Sequence, residues 1–552
     1  MRTVAILQAD LESTPLQTKS RLAEELGGRT ILRRTIDRLR RVKQVCAIYV
    51  LCPSDQIQRC ESLLEETGAL IRPYHADPPP WANLVVPARK WSLDGWRGGM
   101  GGTCYFDEFI DARLISGLLR SEPADAILCV PSAAPLLVPD LADRMIEFYQ
   151  ESEDDNRLTF CQAPPGVAGI VLAESLVHEL ADKGIPLGWV FSYKPDAAQK
   201  DLIFQPCCYD VPTDLRHAVG RLTADSLRST ERVAALLRTF DDPTPEEIGR
   251  WLTRHESDSV ETLPKEVEVE LTTEDPYPGS TIRPRGGQVP VRGPMEIDVV
   301  TKVVQDLIRF DDALIVLGGF GEPLRHPAFL EVLAALRSAR LNGSGLYGLA
   351  VRTAGVDLSD ECIDAIVGHQ VDVLNVTLDA WTPELYCQLH APGASVSADL
   401  GAVLRRLDRL AEMRQSHGSA QPIVLPELTK TRSNVHELDD FHDGWLRRVG
   451  AVAISGCGDY AGQWEDHSVI QMAPSPRLAC RRLRSRCVVL ADGRVTTCDQ
   501  DFKGVQVVGD LRDQSMAEIW TGDAMNIIRK HHRNNESASA VLCGSCKEWH
   551  RP

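Results

Sequence analysis

Four cysteines near the end of the chain have the residue type and spacing of a metal centre. Cys543 and Cys546 form a C-x-x-C pair, with Cys480 and Cys498 upstream. The pair presents two thiolates from one tight turn, so both can reach adjacent irons of a cubane, and the two distant cysteines close the coordination from the other side. Four thiolates complete a [4Fe-4S] cluster. Zinc also accepts four thiolates at such a turn, so spacing alone leaves the metal open. The chain has 16 cysteines, and the last five begin at Cys480. Most others, among them Cys46, Cys52, Cys60, Cys129, Cys161, Cys207, Cys208, Cys362 and Cys387, are scattered in apolar or helical contexts where a thiol packs as a small hydrophobe.

The chain that must position these thiols has 552 residues, too many for one core and enough for about three to four folding units. With 78 acidic against 60 basic side chains its net charge is -18, which argues against nucleic acid or an anionic membrane as partner. The expected partner is a small-molecule ligand or a redox or substrate protein. No apolar run reaches the roughly 18 residues that cross a bilayer, and the N-terminal apolar stretch is too short for a secretory signal. A cytoplasmic location is expected, where thiols serve packing, catalysis or metal ligation rather than disulfides.

Apolar periodicity predicts a βαβ opening: a strand at Val4–Leu7, a helix at Ile31–Leu39 and a strand at Ala47–Leu51. Strands at 126–130 and 169–172 and a helix at 139–149 continue an α/β sheet over residues 1–240. Residues 241–265, with DDPTPEE and then a polar, proline-marked run, read as a helix-initiating linker. Strand candidates at 267–271, 313–317, 348–352, 373–378, 423–428 and 452–454, separated by helical segments, suit a full or partial parallel barrel over 266–474. The remaining segment, 475–552, is short and turn-rich and needs a staple such as a metal centre.

That tail carries a resemblance. Cys487-Val-Val-Leu-Ala-Asp-Gly-Arg-Val-Thr-Thr-Cys498, then Gly509-Asp-Leu, Ser515, Glu518-Ile-Trp520, Arg529 and Cys543-Gly-Ser-Cys546-Lys-Glu-Trp549 look like the SPASM module of radical-SAM proteins in its shorter form. The resemblance implies one auxiliary [4Fe-4S] cluster held by Cys480, Cys498, Cys543 and Cys546, with Cys487 in reserve, and it favours iron–sulfur over zinc. The arginines from Arg481 to Arg486 would raise the cluster potential, dock an acidic partner, or simply form a solvated basic strip.

Residues 266–470 resemble a radical-SAM barrel. Gly318-Gly-Phe-Gly-Glu-Pro323 is similar to the family's glycine-rich segment, Arg352-Thr-Ala-Gly355 to its TNG turn and Asn375-Val-Thr-Leu-Asp379 to its S-x-D strand end. The resemblance implies S-adenosylmethionine contacts at Gly318, Gly319, Gly321, Glu322, Thr377 and Asp379. The family's C-x3-C-x2-C is missing, however. Asp275, Gly279 and Ile282 stand at its positions, and no cysteine occurs between Cys208 and Cys362. Gly and Ile have no donor side chain, so reductive cleavage is expected to be absent and cofactor affinity reduced.

Val4-Ala-Ile-Leu-Gln8, Lys19 and Leu26-Gly-Gly-Arg-Thr-Ile-Leu32 resemble a sugar cytidylyltransferase or related GT-A nucleotidyltransferase, which implies a triphosphate held by a basic loop including Lys19 and carboxylates holding Mg2+. Ala133 stands where that family has a metal-binding aspartate, while Asp225 in Thr223-Ala-Asp-Ser226 matches the second carboxylate segment. Gly98-Gly-Met-Gly-Gly102 suits either a phosphate cradle or a flexible surface turn. The sequence therefore predicts an α/β protein: a Rossmann-like GT-A sheet, a central partial TIM barrel of radical-SAM type and a small SPASM module, an order similar to the spirochete-type SPASM proteins. The expected function is electron transfer or ligand and partner positioning by an iron–sulfur protein whose two catalytic domains are inactive. Two alternatives stand beside it, an active Mg-dependent nucleotidyltransferase and a radical-SAM enzyme with unorthodox cluster ligands.

Overall fold

In the computed structural model the chain is described over residues 1–551 apart from 76, 80, 153–155, 198–200, 259–260, 342–345, 393–397, 471–472 and 475–476. It divides into two compact units, 1–258 and 259–552.

The first unit is built on seven strands: β1 (Thr3–Gln8), β2 (Ala47–Pro53), β3 (Leu70–Tyr74), β4 (Ala126–Cys129), β5 (Leu158–Cys161), β6 (Ile170–Ala173) and β7 (Cys208–Tyr209), in the order β3-β2-β1-β4-β6-β5-β7. β1 to β4 run parallel, and β6 is antiparallel to both neighbours. Successive side chains feed opposite faces, so Ala5 and Leu7 enter one core while Val4 and Ile6 enter another. Burial on both faces explains why β1, β2 and β4 read as apolar runs. The helix Ile31–Leu39 begins at Thr30, whose hydroxyl accepts from the Arg33 amide.

Where the sequence suggests a linker, the structure has a fourteen-residue helix, Pro245–Asp258. Thr244 and Glu247 cap each other reciprocally at its start. Ile248 and Leu252 are buried in the first unit's core with Leu215, so the helix belongs to that unit. Residues 259–260 of the expected linker lie outside the described residues.

The second unit holds one nine-stranded sheet: β8 (Glu266–Glu270), β9 (Ala313–Gly318), β10 (Leu346–Thr353), β11 (Val373–Thr377), β12 (Ile423–Lys430), β13 (Ala453–Gly456), β14 (Arg486–Val489), β15 (Arg494–Thr496) and β16 (Val507–Asp510). Its order is β13-β12-β11-β10-β9-β8-β14-β15-β16. β8 to β13 are parallel and alternate with helices such as Ile297–Leu307, Phe329–Leu341 and Asp360–Gly368. β14 pairs parallel with β8, Glu266 opposite Arg486 and Val269 opposite Val489, and then turns into an antiparallel meander. The cysteine tail thus continues the sheet of the preceding region. The boundary expected at 474/475 borders residues 475–476, which are outside the described residues. Among the described residues no helix is long and apolar enough to cross a membrane.

Candidate iron–sulfur centre

At the carboxyl ends of β8 to β11 the structure brings together the residues matched to a cofactor pocket. Gly319 has φ +86°, and a Cβ there would meet Glu270 at 2.6 Å; at Gly321 a Cβ would stand 2.1 Å from the Thr272 carbonyl oxygen. Both positions require glycine for close approach to β8 and the residues just after it. Gly318 ends β9, and Glu268 accepts from the Gly319 amide at 2.9 Å. Glu322 accepts from the Ala354 amide at 2.8 Å, and burial lifts its carboxyl to about 7. Asp379 accepts from the Thr429 amide at 2.7 Å and is likewise lifted by burial to about 7.

A guanidinium sits among them. Arg285 Nη1 lies 3.0 Å from Asp275 Oδ2, with both side chains nearly inaccessible. Its Nη2 donates to Thr377 Oγ1 at 3.4 Å, and Arg283 donates to the same hydroxyl at 2.7 Å. Burial opposes the charge of Arg285, but Asp275, Glu322 and Asp379 outweigh it and hold its pKa above the ordinary value. Thr377 and Asp275 are thus bound to arginine. Ile282 is buried apolar packing, and a Cβ at Gly279 would meet Pro392 at 3.9 Å.

In the first unit Ala133 and Asp225 line one large cavity. Arg221 holds both oxygens of Asp225 and also donates to Glu108 Oε2 at 2.7 Å. Lys19 is exposed, pairs with Ser13 across its loop, and does not line this cavity. Met100–Gly102 forms a single 3-10 turn that packs near Leu84 and Ser192.

The tail places Cys480, Cys498, Cys543 and Cys546 around one small cavity, with Arg477, Arg482, Gln500, His532, Glu548 and Trp549 among its other walls. Burial pushes all four thiols up, Cys546 to about 11, and the Cys480 thiolate adds to the rise of the other three. Donors converge on the sulfurs. The Glu548 amide donates to Cys546 Sγ at 3.3 Å, and Gln506 Nε2 to Cys543 Sγ at 3.5 Å. Arg482 is ion-paired with Asp499; burial works against its charge, but Asp499 and the thiolates of Cys498, Cys480 and Cys546 hold its pKa high. No three His, Cys, Asp or Glu side chains among the described residues close on a point as a single metal ion would require. The thiols stand around a space instead, and a cubane, in which each thiolate binds a different iron, spreads its ligands more widely than one ion does. The donor set fits such a cluster.

Residues 480–547 match the SPASM family, an iron–sulfur cluster-binding domain.

The chain is 25% identical over 350 residues to an uncharacterized protein of Treponema pallidum (strain Nichols), covering 61% of this chain and 92% of that one. It is 25% identical over 168 residues to the tungsten-containing aldehyde ferredoxin oxidoreductase cofactor-modifying protein of Pyrococcus furiosus, covering 29% of this chain and 42% of the relative. Among solved structures it is similar to Streptococcus suis SuiB bound to precursor peptide SuiA, with a TM-score of 0.39, 9% identity, and coverage of 55% of this chain and 77% of that chain.

Cys487 lies apart from the SPASM cavity. It is buried in β14 with its thiol 3.8 Å from Met516 Sδ, and burial lifts it to about 12. Arg529 of the SPASM motif is structural: it donates to the carbonyls of Leu483 and Trp520 and lies over the Trp520 ring. Sequence reasoning missed Gln506 and His532. His532 Nδ1 accepts from the Cys480 amide at 3.3 Å, so its ring proton is on Nε2, which is buried with no partner among the described residues. Neither residue has a motif signal, since each reaches its cysteine across a long stretch of chain.

Proposed function

We propose that this chain is an iron–sulfur protein in which Cys480, Cys498, Cys543 and Cys546 hold one [4Fe-4S] cluster, and that its radical-SAM-type and nucleotidyltransferase-type regions no longer catalyse those folds' reactions. Its role is then to pass electrons at the cluster or to position a ligand or partner protein. The observation that carries this reading is the contrast between the two halves of the second unit. Four thiols share one cavity in the SPASM domain, while the positions matched to the missing cysteines are Asp275, Gly279 and Ile282, with Asp275 bound to Arg285. A cluster bound there would need donors that Gly and Ile lack.

The test is iron, sulfide and zinc per chain after anaerobic purification, with the visible spectrum. The reading requires about four irons and four sulfides, lost on joint Cys543→Ser and Cys546→Ser substitution. It also requires no 5'-deoxyadenosine from S-adenosylmethionine under reducing conditions. About one zinc without sulfide would make the tail a structural knuckle.

A further inference from the structure

The surface around the cysteine cavity carries charge opposite in sign to that of the whole chain. Residues 477–486 hold five arginines and no carboxylate, and 527–533 hold Arg529, Lys530 and Arg533, again with no carboxylate, in a chain of net charge -18. Hydrogen bonds bring these segments to the cavity and to each other. Arg477 Nη2 donates to the Cys543 carbonyl at 2.5 Å, the Cys480 amide to His532 Nδ1 at 3.3 Å, and Arg529 Nε to the Leu483 carbonyl at 2.9 Å.

Protein carboxylates balance only part of this charge. Asp499 takes Arg482, and Glu266 lies 3.8 Å from Arg486. Arg477 donates to a backbone carbonyl, and Arg529 to two carbonyls and the Asn526 side chain, all neutral acceptors. Arg529 is held down to about 10 by burial and then by the neighbouring charges of Arg484 and Arg533. At the rim Arg481 and Arg533 are exposed, and so are two aliphatic side chains next to cavity residues in the chain, Leu478 at 67% and Val541 at 78%. The buried Arg482 can offset the charge of thiolates, whereas exposed arginines are screened by water and do little for them. Apolar side chains flanked by charge of one sign suit a partner of the other sign.

We propose that this rim docks a small acidic electron-carrier protein, whose carboxylates meet Arg481 and Arg533 and whose apolar contact covers Leu478 and Val541, so that one electron passes between its redox centre and the cluster. Such docking gives the electron-transfer role its partner and rests on the cluster proposed above.

The test follows oxidation of the reduced full chain by stopped flow, with the acidic copper protein plastocyanin and the basic haem protein cytochrome c as probes. One electron leaves the reduced cluster and takes Cu(II) to Cu(I) or Fe(III) to Fe(II). If the chain's overall charge governed encounter, added salt would speed the first reaction and slow the second. Docking at this rim requires the reverse: the plastocyanin rate falls several-fold as salt is raised, and the cytochrome c rate does not fall. Arg533→Glu and Leu478→Asp should each slow plastocyanin several-fold at low salt, with iron and sulfide per chain unchanged. Arg405→Glu, the same charge change on the helix Leu400–Ser416, should not. A plastocyanin rate that rises with salt, or that is indifferent to both rim substitutions, overturns the proposal while leaving the cluster in place. A chain without iron and sulfide overturns the cluster reading, and the docking with it.

Discussion

Arg285 and Asp275 form an ion pair 3.0 Å apart with side chains only 4% and 0% exposed, and Asp275 is a position that the sequence resemblance matches to a cluster-binding cysteine. The guanidinium is held by protein carboxylates and a threonine hydroxyl, so the charge inside this end of the sheet is balanced without a metal. Breaking such a pair from one side strands a buried charge and costs about 3–5 kcal/mol, whereas replacing both partners is often close to neutral. Arg285→Met should therefore lower the urea midpoint of the second unit strongly, and Asp275→Asn combined with Arg285→Met should recover most of the loss.

Glu322 yields a pH prediction. Burial raises its carboxyl from 4.5 to about 7, so between those values the folded state keeps a proton that the unfolded state releases. Its contribution to stability is present below about 4.5 and falls as pH rises to about 7. Glu322→Gln should flatten the pH dependence of unfolding across that window by on the order of 2–3 kcal/mol. A variant with the same slope as the parent chain would refute the assignment.

Cys487 and Cys498 should behave oppositely although they are only eleven positions apart. Cys487→Ala should retain about four irons per chain and lose roughly 1–2 kcal/mol of stability through the lost Met516 contact. Cys498→Ala should lose the iron.

Donors around the thiols should set the cluster's potential. Hydrogen bonds to cluster sulfurs stabilise the more negative, reduced state. Gln506→Leu, which removes the 3.5 Å contact to Cys543 Sγ, and His532→Phe, which removes the buried Nε2 proton, should each lower the midpoint in a spectroelectrochemical titration while iron content stays unchanged.

Much of this was legible in the sequence for physical reasons. β1, β2, β4 and, in the second unit, β9 are apolar on both faces, and such runs stand out along the chain. The four cysteines announced themselves by spacing. β3 was not legible: Leu70–Tyr74 is a half-exposed strand at the sheet edge with an arginine and a proline inside it. The helix Pro245–Asp258 was seen only as an initiation signal, because a charged helix with a narrow apolar stripe resembles a polar linker. Arg285 and Arg292 belong to no motif in the sequence. Only the fold reveals that Arg292 lies against Glu270, 2.7 Å from Nε to Oε1, and reaches the Phe502 carbonyl.

The pairing of β14 with β8 bears directly on the electron-transfer role proposed above. The SPASM segment shares backbone hydrogen bonds with the first strand of the parallel sheet, and the buried carboxylate of Glu270 also accepts from the Ala491 amide. A module stitched to its neighbour in this way is not a pendulum on a tether. In the proposed electron-transfer role its cysteine cavity is a fixed terminal, to which a redox partner must come.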